Sequence, residues 1–239
     1  MGINRPGGFT RYVLPSGVAS RGTSGLFTPD LSGGDVNPYP GLNGLADGKL
    51  WNDVRLVSNR LHNTAISGGP PYDDGIVLWP GSYGDNVTMT ATIYRTGTPL
   101  PGPPDTQEVE LLICGSIGPY HASFYECQYG VGGNPYANIV RWNGGGGTAI
   151  GQFTEFGLQT GTPAAQNGDV LKATKVGSVI TVYLNNVSMT SADVSAAGAN
   201  IYGPATYARG FVGVGFFQRG GTSGNLLEYG LSNITVTAP

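Results

Sequence analysis

The run "VTMTATIYR", residues 87–95, is the most strictly patterned stretch of this chain. Side chains of an extended strand alternate between its two faces. Val87, Met89, Ala91 and Ile93 therefore share one side, and Thr88, Thr90, Thr92 and Tyr94 the other. An apolar row backed by a hydroxyl row suits a sheet that is packed on one face and wet on the other. "NGDVLKATKVGSVITVYLNN", residues 167–186, repeats the pattern and adds reversals. Two alternating runs meet at Gly177-Ser178, and the second ends at Asn185-Asn186, which reads as strand, tight turn, strand, tight turn.

Comparable short runs recur along the chain: "GIVLW" (75–79), "QEVELLICGS" (107–116), "ASFYECQYGV" (122–131), "NIVRWN" (138–143), "GQFTEFGLQ" (151–159), "GFVGVGFFQ" (210–218) and "LSNITVTA" (231–238). Between them fall many of the 41 glycines and 17 prolines, which break helices and bound strands. Helix competes with strand at 50–62 and 188–197. In the first, Leu50, Val54, Val57 and Leu61 fit a helical period. Val54 and Leu56 followed by "SNRL" fit strand and turn, and the flanking glycines favour strands. The expected fold is all-β, an antiparallel β-sandwich or barrel in residues 49–239.

Residues 1–48 are different. "RPGGF", "LPSG" and "FTPDLSGGDVNPYPGLNG" bring proline or glycine every few residues, so this segment is expected to be an extended Pro/Gly-rich N-terminal arm. Ordering such an arm costs about 1–2 kcal/mol per residue in backbone entropy. Its few apolar anchors (Phe9, Tyr12, Leu14, Phe27, Tyr39) must then meet either the body of the same chain or a neighbouring subunit. The expected partners are other protein subunits of an assembly, reached through this arm.

Charge excludes some roles. Only 11% of residues are charged and the net charge is −3, which leaves no basic field for nucleic acid and no polybasic membrane segment. No apolar run reaches about 18 residues, so no membrane insertion is expected. The opening "MGINRPGGFTRYVLPSG" lacks the apolar centre of a secretory leader. The expectation is a protein made in the cytoplasm and carried on an extracellular particle or surface assembly. Cys114 and Cys127 lie on neighbouring strands in a register that does not set them opposite each other, so a bridge and a pair of buried thiols both stay open.

"GDVLKATKVGSVITVYLNN" resembles a stretch common in the concanavalin A-like jelly rolls, the superfamily of laminin-G modules, legume lectins and laminarinases. "GFVGVGFF" looks like a later strand whose small residues let two sheets approach, and "YGLSNITVTA" like the closing strand. "QEVELLICG" and "ASFYECQYGV" are compatible with central strands. The resemblance spans about residues 75–238. It implies two antiparallel sheets face to face, one of them often forming a glycan groove. It does not choose between lectin, glycosidase, lyase and structural module.

Glu108 and Glu110 project from one face, about 6.5–7 Å apart along a strand, in the range where paired carboxyls act on glycosidic bonds. The third acid of the laminarinase pattern is missing, since Leu111 and Leu112 follow. Glu126 and Gln128 project together from the next strand, and Tyr125 beside Arg141 offers a proton donor of the lyase kind. Aromatic planes stack on sugar rings while planar polar groups take the hydroxyls. Trp79, Tyr94, Glu110, Tyr125, Gln128, Arg141 and Trp142 are therefore the candidate glycan contacts, although aromatics also fill sandwich cores. Asp73, Asp74 and Asp85 are candidate calcium ligands, and equally ordinary turn formers; no other cofactor is expected. The reading is a non-catalytic, lectin-like sandwich displayed on a surface, of the virion decoration or phage fibre type, with host glycans as a further partner. The alternative is a polysaccharide-degrading enzyme of the same fold.

Overall fold

The computed structural model describes residues 25–32, 34–35, 45–46, 49–50, 53–66, 75–103, 106–118, 121–143, 153–196 and 206–239. Within them run β1 (Gly25–Phe27), β2 (Leu45–Ala46), β3 (Lys49–Leu50), β4 (Val54–Val57), β5 (Arg60–Asn63) and β6 (Gly75–Tyr83). Then come β7 (Asn86–Arg95), β8 (Gln107–Gly118), β9 (His121–Gly130), β10 (Tyr136–Asn143), β11 (Phe153–Glu155) and β12 (Gln159–Thr160). The last are β13 (Val170–Val176), β14 (Val179–Leu184), β15 (Val187–Asp193), β16 (Gly210–Gln218) and β17 (Tyr229–Ala238). Among the described residues there is no α-helix, and hence no helix long and apolar enough to cross a membrane.

Both segments where helix competed are strands. Ser58 and Asn59 take φ of +50° and +62°, a tight two-residue reversal between β4 and β5. Residues 187–193 form β15, followed by a single 3-10 turn at Val194–Ala196.

The strands form two large antiparallel sheets, the sandwich of the expected all-β fold. One has the order β15-β14-β13-β7-β17-β5-β4, with β1 on β17; the other has β11-β10-β9-β8-β16-β6, with β12 on β10. The alternating run at 87–95 becomes β7, and Val87, Met89, Ala91 and Ile93 are all buried in the core. They meet Val109, Leu111 and Ile113 of β8, Tyr125, Cys127 and Tyr129 of β9, and Val212, Val214 and Phe216 of β16. Each such side chain, fully buried, contributes about 1.5–3 kcal/mol of transfer free energy. Cys114 and Cys127 are free, buried thiols, which decides between the two open alternatives.

The hairpin at 167–186 is held at both ends. Gly177 turns β13 into β14 with φ +57°. At the other end Asn185 and Asn186 reverse the chain with φ +51° and +65°, the Asn185 side chain accepts the Val170 N–H at 2.9 Å, and it donates to Asp169 at 2.8 Å. The "GD" and "NN" of this stretch are thus two halves of one hydrogen-bonded corner.

The described parts of the first 50 residues lie on this same sandwich. Gly25–Phe27 pair with Val236–Ala238 of β17, and the Phe27 ring sits 6.1 Å from that of Trp79. β2 pairs with β3 and contacts β8 and β9.

Candidate functional site

The outer face of the second sheet carries the chemistry. Because side chains alternate, Glu108, Glu110 and Leu112 of β8 point away from the core that Val109, Leu111 and Ile113 enter. On β9 the outward row is Phe124, Glu126 and Gln128, and on β10 it is Tyr136, Asn138, Val140 and Trp142. Ile76, Leu78, Leu112, Phe124, Val140 and Trp142 form a second apolar cluster there, separate from the inter-sheet core. In-register pairing sets Gln128 opposite both Glu110 and Asn138, and Glu126 opposite both Leu112 and Val140.

Three carboxyls therefore converge. Ligand oxygens of Glu108, Glu110 and Glu126 lie within 4.8 Å of one another, and all three residues are buried, Glu110 completely. Gly215 faces Glu110 on β16, and a Cβ there would collide with Glu110 Oε2, so glycine makes room for this carboxyl. Glu126 accepts the Trp142 indole N–H on Oε2 and the Gln128 amide on Oε1 at 2.8 Å. Burial raises the Glu126 pKa above the ordinary carboxylate range, which favours its protonated form beside the other two carboxyls. Tyr136 is hydrogen-bonded to Glu108; burial and then the Glu108 charge push its phenol well above its usual value.

The candidate glycan contacts divide among three environments. Glu110, Gln128 and Trp142 come together on this outer face. Trp79 and Tyr125 belong to the inter-sheet core, where the Tyr125 hydroxyl accepts the Tyr207 N–H at 3.0 Å and burial raises its pKa to about 12. Arg141 also points inward. It is buried, and its Nε donates to Asn143 at 2.7 Å and its Nη2 to Thr154 at 3.3 Å. Tyr94 lies on the wet face of the first sheet, with the Arg60 guanidinium 4.0 Å over its ring.

Glu126 entered the sequence analysis as a neighbour of Gln128. Its place opposite Leu112, where it completes a three-carboxyl cluster, follows only from the β8–β9 register. For the calcium candidates, Asp73 and Asp74 lie outside the described residues. Asp85 is salt-bridged to Lys175 at 2.9 Å, with its own side chain 59% exposed. Lys175 is a residue the sequence analysis left unremarked, although its position has a signal. "VLKATKV" places a cation in the same register as Leu171 and Ala173, both wholly buried.

No protein-family model matches the chain, and no curated protein matches it in sequence. Among solved structures it is similar to the carbohydrate binding module CBM66 from Bacillus subtilis, at 11% identity over 74% of this chain and 86% of that one, with a TM-score of 0.47. It is also similar to a β-glucanase of Bacillus licheniformis, at 13% identity over 92% and 99% of the two chains, TM-score 0.46. A third is the β-porphyranase BpGH16B from Bacteroides plebeius, at 10% identity over 91% and 92%, TM-score 0.43.

Proposed function

We propose that this protein is a non-catalytic β-sandwich subunit of a surface-displayed assembly, of the virion decoration or fibre type, with attachment to host glycans as its outward task. The observation that supports it is the closure of the outer face of the second sheet. Glu110 is 0% exposed and Glu126 1% exposed. A polysaccharide chain cannot reach carboxyls buried this far. The pairing of β1 with β17 fixes residue 25 to a sheet edge, so the 24 residues before it start from a defined point and serve as the docking segment. Light scattering on the full chain and on residues 25–239, each checked for folding by circular dichroism, tests the role. The reading requires association that is lost on truncation; two folded monomers would refute it.

A second reading, a polysaccharide-degrading enzyme, draws on one observation. Glu126 supplies from β9 the third carboxyl missing from β8, and a pair in which one partner holds a proton is the chemistry of an acid beside a carboxylate. Release of reducing or unsaturated ends from β-glucans or alginate, abolished by Glu110→Gln, would establish it over the first.

A further inference from the structure

A cavity of about 270 Å³ opens at the end of the sandwich where β13 turns into β14. It is bounded by Asp85, Lys175, Ser178, Val194, Ser195 and Tyr207. Lys175 continues the inward row of β13, and its side chain is only 3% exposed. Among the described residues, Asp85 is the one acceptor its ammonium reaches, at 2.9 Å. An ammonium has three N–H donors. One goes to Asp85, and among the described residues nothing takes the other two, which leaves them for whatever occupies the cavity. Asp85 sits at the rim, with its side chain 59% exposed, and keeps acceptor capacity of its own.

The remaining walls are fixed in place. Tyr207 is nearly buried; its hydroxyl donates to the Trp142 carbonyl at 2.8 Å, and its N–H donates to Tyr125 at 3.0 Å. Ser195 is held by Asp193, which accepts its N–H at 2.9 Å and its hydroxyl at 2.7 Å. Ser178 is a further hydrogen-bond partner of Asp193, and its carbonyl accepts the Val194 N–H at 2.9 Å. Val194 and Tyr207 give an apolar side, and the Lys175–Asp85 pair gives a donor and an acceptor side by side.

We propose that this cavity binds a single neutral polyhydroxy ring, such as one sugar residue of a glycan. Charge selects the class. The ammonium is already neutralised, so an anion meets Asp85, and a cation meets Lys175. A ring bearing hydroxyls can accept from Lys175 and donate to Asp85 at once. Size selects the extent. At about 270 Å³ the space lies just below the usual range for small-molecule sites, which suits one ring rather than a chain. The inference names a site for the glycan attachment in the proposed function, and it rests on that part of the reading.

The test is amide NMR of the full chain with glucose, galactose, mannose, rhamnose and N-acetylglucosamine, with sodium sulfate as the anion arm. At least one sugar should move the amides of Gly177, Ser178, Ser195 and Thr206 with millimolar affinity. Lys175→Met and Asp85→Asn, each with an unchanged spectrum elsewhere, should weaken that binding by about tenfold or more. Sugar shifts that survive both variants, or that map to other residues, overturn the site and leave glycan attachment standing. No response to any sugar overturns both. Shifts with sulfate alone show an anion site and overturn the class assigned here.

Discussion

Gly215 and Glu110 face each other across β16 and β8, and the buried carboxyl of Glu110 fills the space that a side chain at 215 would need. The second sheet thus carries its acids on a face cut to their shape and closed over. Glu126 is fastened there by Trp142 and Gln128, and Tyr136 is bonded to Glu108.

Gly215→Ala tests that fit. The added methyl must displace a buried carboxyl, and overpacking of this kind costs about 1–3 kcal/mol. Urea unfolding should show this loss, whereas Gly161→Ala, in an exposed turn with no atom within 4 Å of the new Cβ, should report only the strain of its φ of +71°.

Two buried groups should make stability depend on pH with opposite signs. His62 donates to the Tyr229 carbonyl at 2.7 Å, and burial lowers its pKa from 6.5 to about 4. The unfolded chain binds that proton first, so stability drops as pH falls from about 6.5 towards 4, by at most about 3 kcal/mol. Glu126 has the opposite sign. Its folded pKa is raised, so its contribution is present at low pH and is lost as pH rises through that value. Thermal melts from pH 4 to 9 should show both effects. His62→Gln should remove the loss on acidification, and Glu126→Gln the loss as pH rises above about 4.5.

The Lys175–Asp85 pair should respond asymmetrically. Asp85→Ala leaves an ammonium buried without its counter-ion, while Lys175→Met leaves an exposed carboxylate that water can solvate. The first variant should be less stable than the second by about 1 kcal/mol, the modest size expected because Asp85 is largely screened by solvent. Paired urea melts at one pH measure the difference.

The thiols should be silent in the native state. Burial raises the Cys114 pKa to about 11 and that of Cys127 further still, and neither is exposed. A thiol reagent should label neither until denaturant is added, and reductant should not shift the melting temperature.

How much of this was legible in the sequence depends on the range of the interaction. Period-two alternation marked β7, β13 and β14 and their buried rows, because strand sidedness is local. The Asp169–Asn185 corner was visible as "GD" and "NN" without its hydrogen bonds. Which face a residue joins was harder wherever a strand is buried on both sides. Every residue of β10 but the last is buried, so alternation could not tell that Trp142 faces outward and Arg141 inward. Trp79 and Tyr125 were candidate contacts for the same reason. The three-glutamate cluster needed the β8–β9 register, and the Lys175–Asp85 pair joins residues 90 positions apart, which no local pattern reports.

The most direct test of the closed outer face is carbodiimide labelling of carboxyls in the native full chain, read by peptide mass spectrometry. Closure predicts that Glu108, Glu110 and Glu126 stay unmodified while exposed Glu155 is labelled, and that unfolding makes all four reactive. Ready labelling of Glu110 and Glu126 in the folded protein would contradict it, since the acids would then be open to a substrate.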